Sequence, residues 1–251
     1  MWSTSSRRSG FIDGKETQMT VCVVCGSTPT VRSHLFPSAL MLDLRGKDPY
    51  LHQVVDDQMG TRYQQSGPID TSILCAKHEA ATQLPDKYAI EFCRAVARLV
   101  PQVGFDGYIV NPKPELLTRF ACLTVWRFCV SQVGRGKSSL GNYGPLLESI
   151  ALGEGEEHPT LLLCRNHLRA TTSTEATMAI APFPTRLEGV RVWLFVVSGV
   201  QFYLKLDRRL YPANGEQFAA NKSNPVRLFE LPPVLAHEAP ILKGLLSNML
   251  K

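Results

Sequence analysis

Apolar positions in this chain fall into short extended runs first, then at helical spacing, and past residue 160 back into strand-like runs. The β-branched run Met19 to Val24 and the stretch Thr30 to Leu35, closed by Pro37, each predict a short strand. Between residues 38 and 69 the pattern breaks up. Ala39, Leu40, Met41 and Leu42 suggest one helical turn, but Gly46, Pro49, Gly60 and Gly67 punctuate the rest, so a loop-rich insertion is expected. Ile69 to Leu74 predicts an extended approach to Cys75, where a helix should begin. Beyond Pro85 and Asp86, the residues Tyr88, Phe92, Val96 and Leu99 recur every three or four positions, which predicts an amphipathic helix to about Val100 with Asp86 as its N-cap.

Pro114 to Val133 is the most apolar helical stretch: Leu117, Phe120, Ala121, Val125, Phe128 and Cys129 wrap most of its circumference, as in a central core helix. Pro145 to Leu152 predicts a short helix ended by Gly153, followed by a surface loop at Gly155, Glu156 and Glu157. Thr160 to Cys164, Ala176 to Ala181, Val190 to Val197 and Val200 to Leu206 read as strands, the last two joined by a tight turn at Ser198 and Gly199. A proline- and asparagine-rich stretch from Pro212 to Pro233 follows. The chain closes with Ile241, Leu242, Leu245, Leu246 and Met249 on one helical face, suited to docking on this body, on a protein partner or on a second copy. The expected class is α+β: a flexible lead-in over residues 1–20, a small module over 21–82 with a loop insertion, and an α+β body over 83–251, its helices followed by an antiparallel sheet.

A 251-residue chain buries a core without covalent staples, so size alone requires no metal. The net charge of +5 permits a nucleic-acid partner without arguing for one. Arg7, Arg8, Arg32, Arg45, Lys47 and Arg62 are candidate phosphate contacts, dispersed as on a solvated surface. Residues 1–20 lack the apolar core of a signal peptide, and the longest apolar run, Leu116 to Val130, is broken by Arg119 and Arg127, short of the roughly 18 residues a membrane span needs. A cytoplasmic protein with no membrane association is expected. Seven cysteines, an odd number without the spacing of a disulfide framework, suggest thiols kept reduced for metal.

Cys22 and Cys25 form a Cys-x2-Cys pair, and Cys75 and His78 form a Cys-x2-His pair about fifty residues later. Two intervening residues let a tight turn or a first helical turn close on one ion, so these four predict a structural zinc site. Cys164-Arg165-Asn166-His167 repeats the spacing but has no second pair nearby, and a core cysteine is the simpler reading. Cys93, Cys122 and Cys129 sit on apolar helical faces as core residues, and Arg127 in the apolar helix is expected to be paired.

Between the two pairs stands Ser33-His34-Leu35-Phe36-Pro37, and Asp70 precedes Cys75 by five positions. This order resembles the zinc-stabilised HNH endonucleases, which carry a Cys-x2-Cys knuckle, an Asp-His-x-x-Pro strand and Asn-x4-Cys-x2-Cys-His at a helix start. It is closer still to HNH-like proteins of bacteria and phage that combine Ser-His-x-x-Pro with Leu-Cys-x2-Cys-Glu and a helix containing Leu-Thr-Val-Trp-Arg, here Leu123 to Arg127. The motifs cover about sixty residues.

The resemblance implies a treble-clef module with a ββα-metal core and a nuclease that hydrolyses phosphodiester bonds in DNA, in phage or bacterial conflict. It implies His34 as general base, Asp70 as the residue orienting its imidazole, and Glu79 as ligand of a catalytic Mg²⁺ or Mn²⁺, beside structural Zn²⁺ on Cys22, Cys25, Cys75 and His78. Ser33 stands where that family has a metal-binding Asp, and a hydroxyl replaces a carboxylate poorly. The alternative is a catalytically inactive HNH-like module that binds nucleic acid or a protein partner; a third is a small-ligand body that the zinc module braces.

Overall fold

Residues 20–55, 60–99, 107–109, 112–133, 139–155, 159–165, 168–169, 178–187, 189–207, 209–211, 217–221, 225–230 and 234–235 are described by the computed structural model. The lead-in to residue 19 and the amphipathic stretch Ile241 to Met249 lie outside them. The first element is a two-residue strand, β1 (Ser33–His34), followed by helix α1 (Ser38–Arg45), a hairpin of β2 (Leu51–Val55) and β3 (Gly60–Gln64), and strand β4 (Ile69–Asp70). The insertion expected to be loop is thus a helix and a hairpin. Leu40 and Met41 drive the helix by burying themselves, and the breaker residues fall at element boundaries: Gly46 caps α1, Gly60 opens β3 and Gly67 turns the chain into β4. At Gly67, with φ of +82°, a Cβ would lie 2.5 Å from the Met41 Cγ, so this turn and the packing of α1 require each other.

Helix α2 (Ala76–Ala81) starts directly after Cys75, and α3 (Gln83–Arg98) follows after Thr82. Pro85 therefore lies inside the first turn of α3, where a missing N–H costs no helical hydrogen bond. Asp86 sits in that turn as well, not at the N-cap. Strand β5 (Gly107–Ile109) leads to α4 (Pro114–Val130) and then α5 (Gly144–Leu152). Every residue of α4 from Phe120 to Phe128 is buried, because α3, α5 and a sheet enclose it.

The remaining strands are β6 (Thr160–Arg165), β7 (Leu168–Arg169), β8 (Ile180–Leu187), β9 (Val190–Val197), β10 (Val200–Lys205), β11 (Val226–Glu230) and β12 (Val234–Leu235). The main sheet has the order β5-β11-β6-β10-β9-β8. Its neighbours are antiparallel except β11 and β6, which run parallel with Phe229 opposite Cys164. Strand β11 falls within the proline- and asparagine-rich stretch from Pro212 to Pro233, for which no element was expected. Prolines 182 and 184 lie in the edge strand β8, where a missing donor is tolerated.

Alternation in β9 and β10 divides the sheet's faces. Trp193, Phe195, Phe202 and Leu204 face α4, while Val192, Leu194 and Tyr203 face a smaller cluster with Tyr211 and Ala219. Phe195 and Phe202, directly opposite in register, stack at 4.6 Å, and Phe120 of α4 meets both edge-on. One core runs from the sheet through α4 into the N-terminal module, taking in Cys22, Leu35, Phe36, Leu40, Ile73, Leu74 and Cys75. Phe36 provides the link, with ring centroids 4.9 Å from Phe128 and 6.2 Å from Phe195. The fold is α+β. No helix among the described residues is long and apolar enough to cross a membrane.

Candidate metal centre and adjoining polar site

Two local structures present the four cysteine and histidine ligands. At the knuckle, Gly26 adopts φ of +70° and its N–H bonds the Cys22 carbonyl at 2.8 Å, while the Cys22 N–H bonds the Ser27 carbonyl at 2.9 Å, turning Cys22 and Cys25 to one side. Cys75 bridges Thr30 as a β-pair and is the N-cap of α2, with His78 in the first turn. The ligand atoms of Cys22, Cys25, Cys75 and His78 all lie within 4.8 Å of one another. Cys22 and Cys75 are buried, His78 is half-buried and Cys25 is exposed.

Three of the separations are close to those around a tetrahedral ion. Zinc bonded at about 2.3 Å to sulfur and about 2.05 Å to nitrogen places sulfurs about 3.8 Å apart and sulfur about 3.6 Å from nitrogen. Cys25 Sγ lies 3.9 Å from Cys75 Sγ, and His78 Nδ1 lies 3.5 Å from Cys22 Sγ and 3.3 Å from Cys75 Sγ. All three cysteines of the cluster are free of disulfide linkage. Hydrogen bonding to the Ser27 hydroxyl and amide, aided by Cys22 and Cys75 and against slight desolvation, lowers the Cys25 thiol to about 6, so it readily supplies a thiolate. The cysteines outside the cluster behave oppositely. Burial pushes Cys93 and Cys164 up to about 12 and Cys129 up to about 11, the state of inert core thiols. Asn166 and His167 lie outside the described residues.

One residue beyond His78, Glu79 begins a second polar group. Strand β1 is held by pairing with β4, Ser33 opposite Asp70 and His34 opposite Ile69, and by the Leu35 N–H bonding the Pro68 carbonyl. The fully buried Ser33 hydroxyl donates to Glu79 Oε2 at 2.7 Å. From α4, Arg127, only 1% exposed, donates through Nη1 to Asp86 Oδ2 at 2.8 Å and through Nη2 to Thr82 Oγ1 at 2.6 Å; Nη2 also lies 3.6 Å from Glu79 Oε1. The Thr82 hydroxyl in turn donates to the Glu79 carbonyl at 2.7 Å. Burial raises the Asp86 carboxyl against the lowering pull of Arg127.

His34 is half-buried beside this group. Burial and the charge of Arg32 push its imidazole below its usual value, Glu79 pulls it up, and Arg127 pushes it down again. Among the described residues its imidazole makes no hydrogen bond. Asp70, expected to orient it, is engaged elsewhere: Oδ1 accepts from the Ser72 N–H at 2.8 Å and its hydroxyl at 2.6 Å, while Oδ2 accepts from the Ser131 hydroxyl at 2.6 Å and the Gln132 N–H at 3.1 Å. Asp70 thus ties β4 to the end of α4, with no hydrogen bond to His34.

Of the sequence candidates, then, the four candidate metal ligands converge, Glu79 follows His78 and meets Ser33, and His34 is reached by the charge of Glu79 without a hydrogen bond to it. Arg127 was expected to be paired, but Asp86 and Thr82 were missed as its partners next to Glu79. Their signal was present in Arg127, a charge in an otherwise apolar helix, but its carboxylate partner lies 41 residues away. Of the candidate phosphate contacts, Arg32 and Lys47 are exposed and Arg45 donates to the Gln65 carbonyl at 3.0 Å. Arg7, Arg8 and the Arg62 side chain lie outside the described residues. No protein-family model matches the chain, and no curated protein or solved structure matches it either.

Proposed function

We propose that residues 21–82 are a treble-clef module braced by zinc on Cys22, Cys25, Cys75 and His78, and that the module is the hydrolytic centre of an HNH-type nuclease acting on DNA. The observation carrying this reading is the meeting of β1 with the start of α2: the Ser33-His34 dipeptide abuts Glu79, with Ser33 Oγ 2.7 Å from Glu79 Oε2, one residue beyond a metal-ligand candidate. His34 is the general base. Its lowered pKa leaves it neutral at pH 7 and able to take a proton from water. Glu79 is the oxygen ligand for Mg²⁺ or Mn²⁺, which when bound would stabilise charge developing on the phosphate oxygens. Ser33 contributes a donor to Glu79 in place of a second carboxylate. In the HNH-like setting the substrate is DNA met in phage or bacterial conflict, in the cytoplasm.

A second reading is favoured by the same contacts. Glu79 receives Ser33 on one oxygen and faces Arg127 on the other, as in a site that holds its shape and binds nucleic acid or a protein without cutting. Incubation with supercoiled plasmid and single-stranded DNA in Mg²⁺ or Mn²⁺ separates the two. Nicking by the wild type that is lost in His34→Ala supports the nuclease. Retention of DNA in a binding assay, without cleavage in either metal, supports the module.

A further inference from the structure

The apolar helix α4 carries a full positive charge into the core, and it ends at the candidate site. Resting on the nuclease reading, we propose that Arg127 is a positioning residue, which fixes the Glu79 carboxylate from the side of the body while Ser33 fixes it from the side of the strand.

The guanidinium is a planar fork, so two anchors define its orientation. Asp86 Oδ2 on Nη1 and Thr82 Oγ1 on Nη2 are those anchors, at 2.8 and 2.6 Å. With the fork held, Nη2 faces Glu79 Oε1 at 3.6 Å, beyond hydrogen-bond range. It therefore orients Oε1 by charge and leaves its lone pairs for a ligand. Asp86, hydrogen-bonded to Nη1 at 2.8 Å, is the nearer partner of the guanidinium, and Glu79 at 3.6 Å is the more distant one. Thr82 adds register: its hydroxyl ties the Glu79 backbone to the same guanidinium that faces the Glu79 side chain. A glutamate in the first turn of a short helix, 23% exposed, would otherwise sample several rotamers. Here β1, α2, α3 and α4 converge to hold one.

The test uses the full, zinc-loaded chain and two variants. Arg127→Met combined with Asp86→Leu removes both partners of the buried pair together, so neither is left unpaired and the fold is expected to be retained. Arg127→Lys keeps a charge for Asp86 but lacks the fork, and decides the matter alone should the double variant not fold. Plasmid nicking with Mn²⁺ is read as kcat and KM, with zinc content and thermal melting measured alongside. In each folded variant kcat is expected to fall about tenfold to a hundredfold, as for a misplaced catalytic group, with KM for DNA within about twofold and zinc retained. If a folded variant keeps wild-type kcat, the inference is overturned and the nuclease reading stands. If kcat falls only in step with zinc content and melting temperature, the role is structural and the inference is likewise overturned. A wild type that nicks no DNA overturns the nuclease reading and this inference with it.

Discussion

Removing the Ser131 hydroxyl should loosen the joint between β4 and the end of α4. Asp70 is 3% exposed, and the Ser131 hydroxyl reaches its Oδ2 across 61 residues of sequence at 2.6 Å. A hydrogen bond to an ionised group contributes about 1.5–3 kcal/mol net, so Ser131→Ala should cost about 2 kcal/mol, the Gln132 N–H remaining on Oδ2. For a chain of this length that is a fall of roughly 4–8 °C in melting temperature. Asp70→Ala should cost more, about 3–5 kcal/mol, because it strands the donors of Ser72, Ser131 and Gln132 together. Urea denaturation of wild type, both single variants and the double variant forms a cycle, and its coupling should be about 1.5–3 kcal/mol.

Acidity provides the sign. Burial alone would raise the Asp70 carboxyl, but the hydrogen bonds from Ser131 and Ser72 outweigh it and hold the folded-state pKa below the usual 3.8. The folded state thus binds this proton more weakly than the unfolded chain. The stabilisation is fully present above the unfolded pKa and disappears as pH falls through the lower folded one. The gap between wild type and Ser131→Ala should therefore narrow on acidification. A Ser131→Ala cost under about 0.5 kcal/mol with no coupling to Asp70 would refute the clamp.

Two further outcomes are expected. Elemental analysis should find about one zinc per chain, lost in the Cys22→Ser, Cys75→Ser double variant with a lower melting temperature, and a metal-free wild type that folds normally would refute the site. If His34 is the general base, as proposed, the acid limb of the pH–rate profile should lie below 6.5, since burial and Arg32 both disfavour the imidazolium. Arg32→Gln removes one of those pressures and should move the limb to higher pH; a shift to lower pH, or none, would remove Arg32 from the electrostatics of the site.

Local spacing carried much of this protein in its sequence. Cys-x2-Cys, Cys-x2-His, the span of α4 and the Ser198-Gly199 hairpin turn are each set by residues within a few positions of one another, where backbone geometry alone decides which side chains share a face. Gly46, Gly60 and Gly67 were legible as breakers but not as the borders of a helix and a hairpin, since a glycine marks an end without saying what it ends. What tertiary structure decided is where charges and strands with distant partners come to rest. Asp70 binds Ser131 rather than His34, Arg127 finds Asp86 and Glu79, and β11 enters the sheet parallel to β6. A buried charge must take whichever counter-charge the packed core brings within reach, and that choice exists only once Phe36, Phe128 and Phe195 have closed the module onto the body.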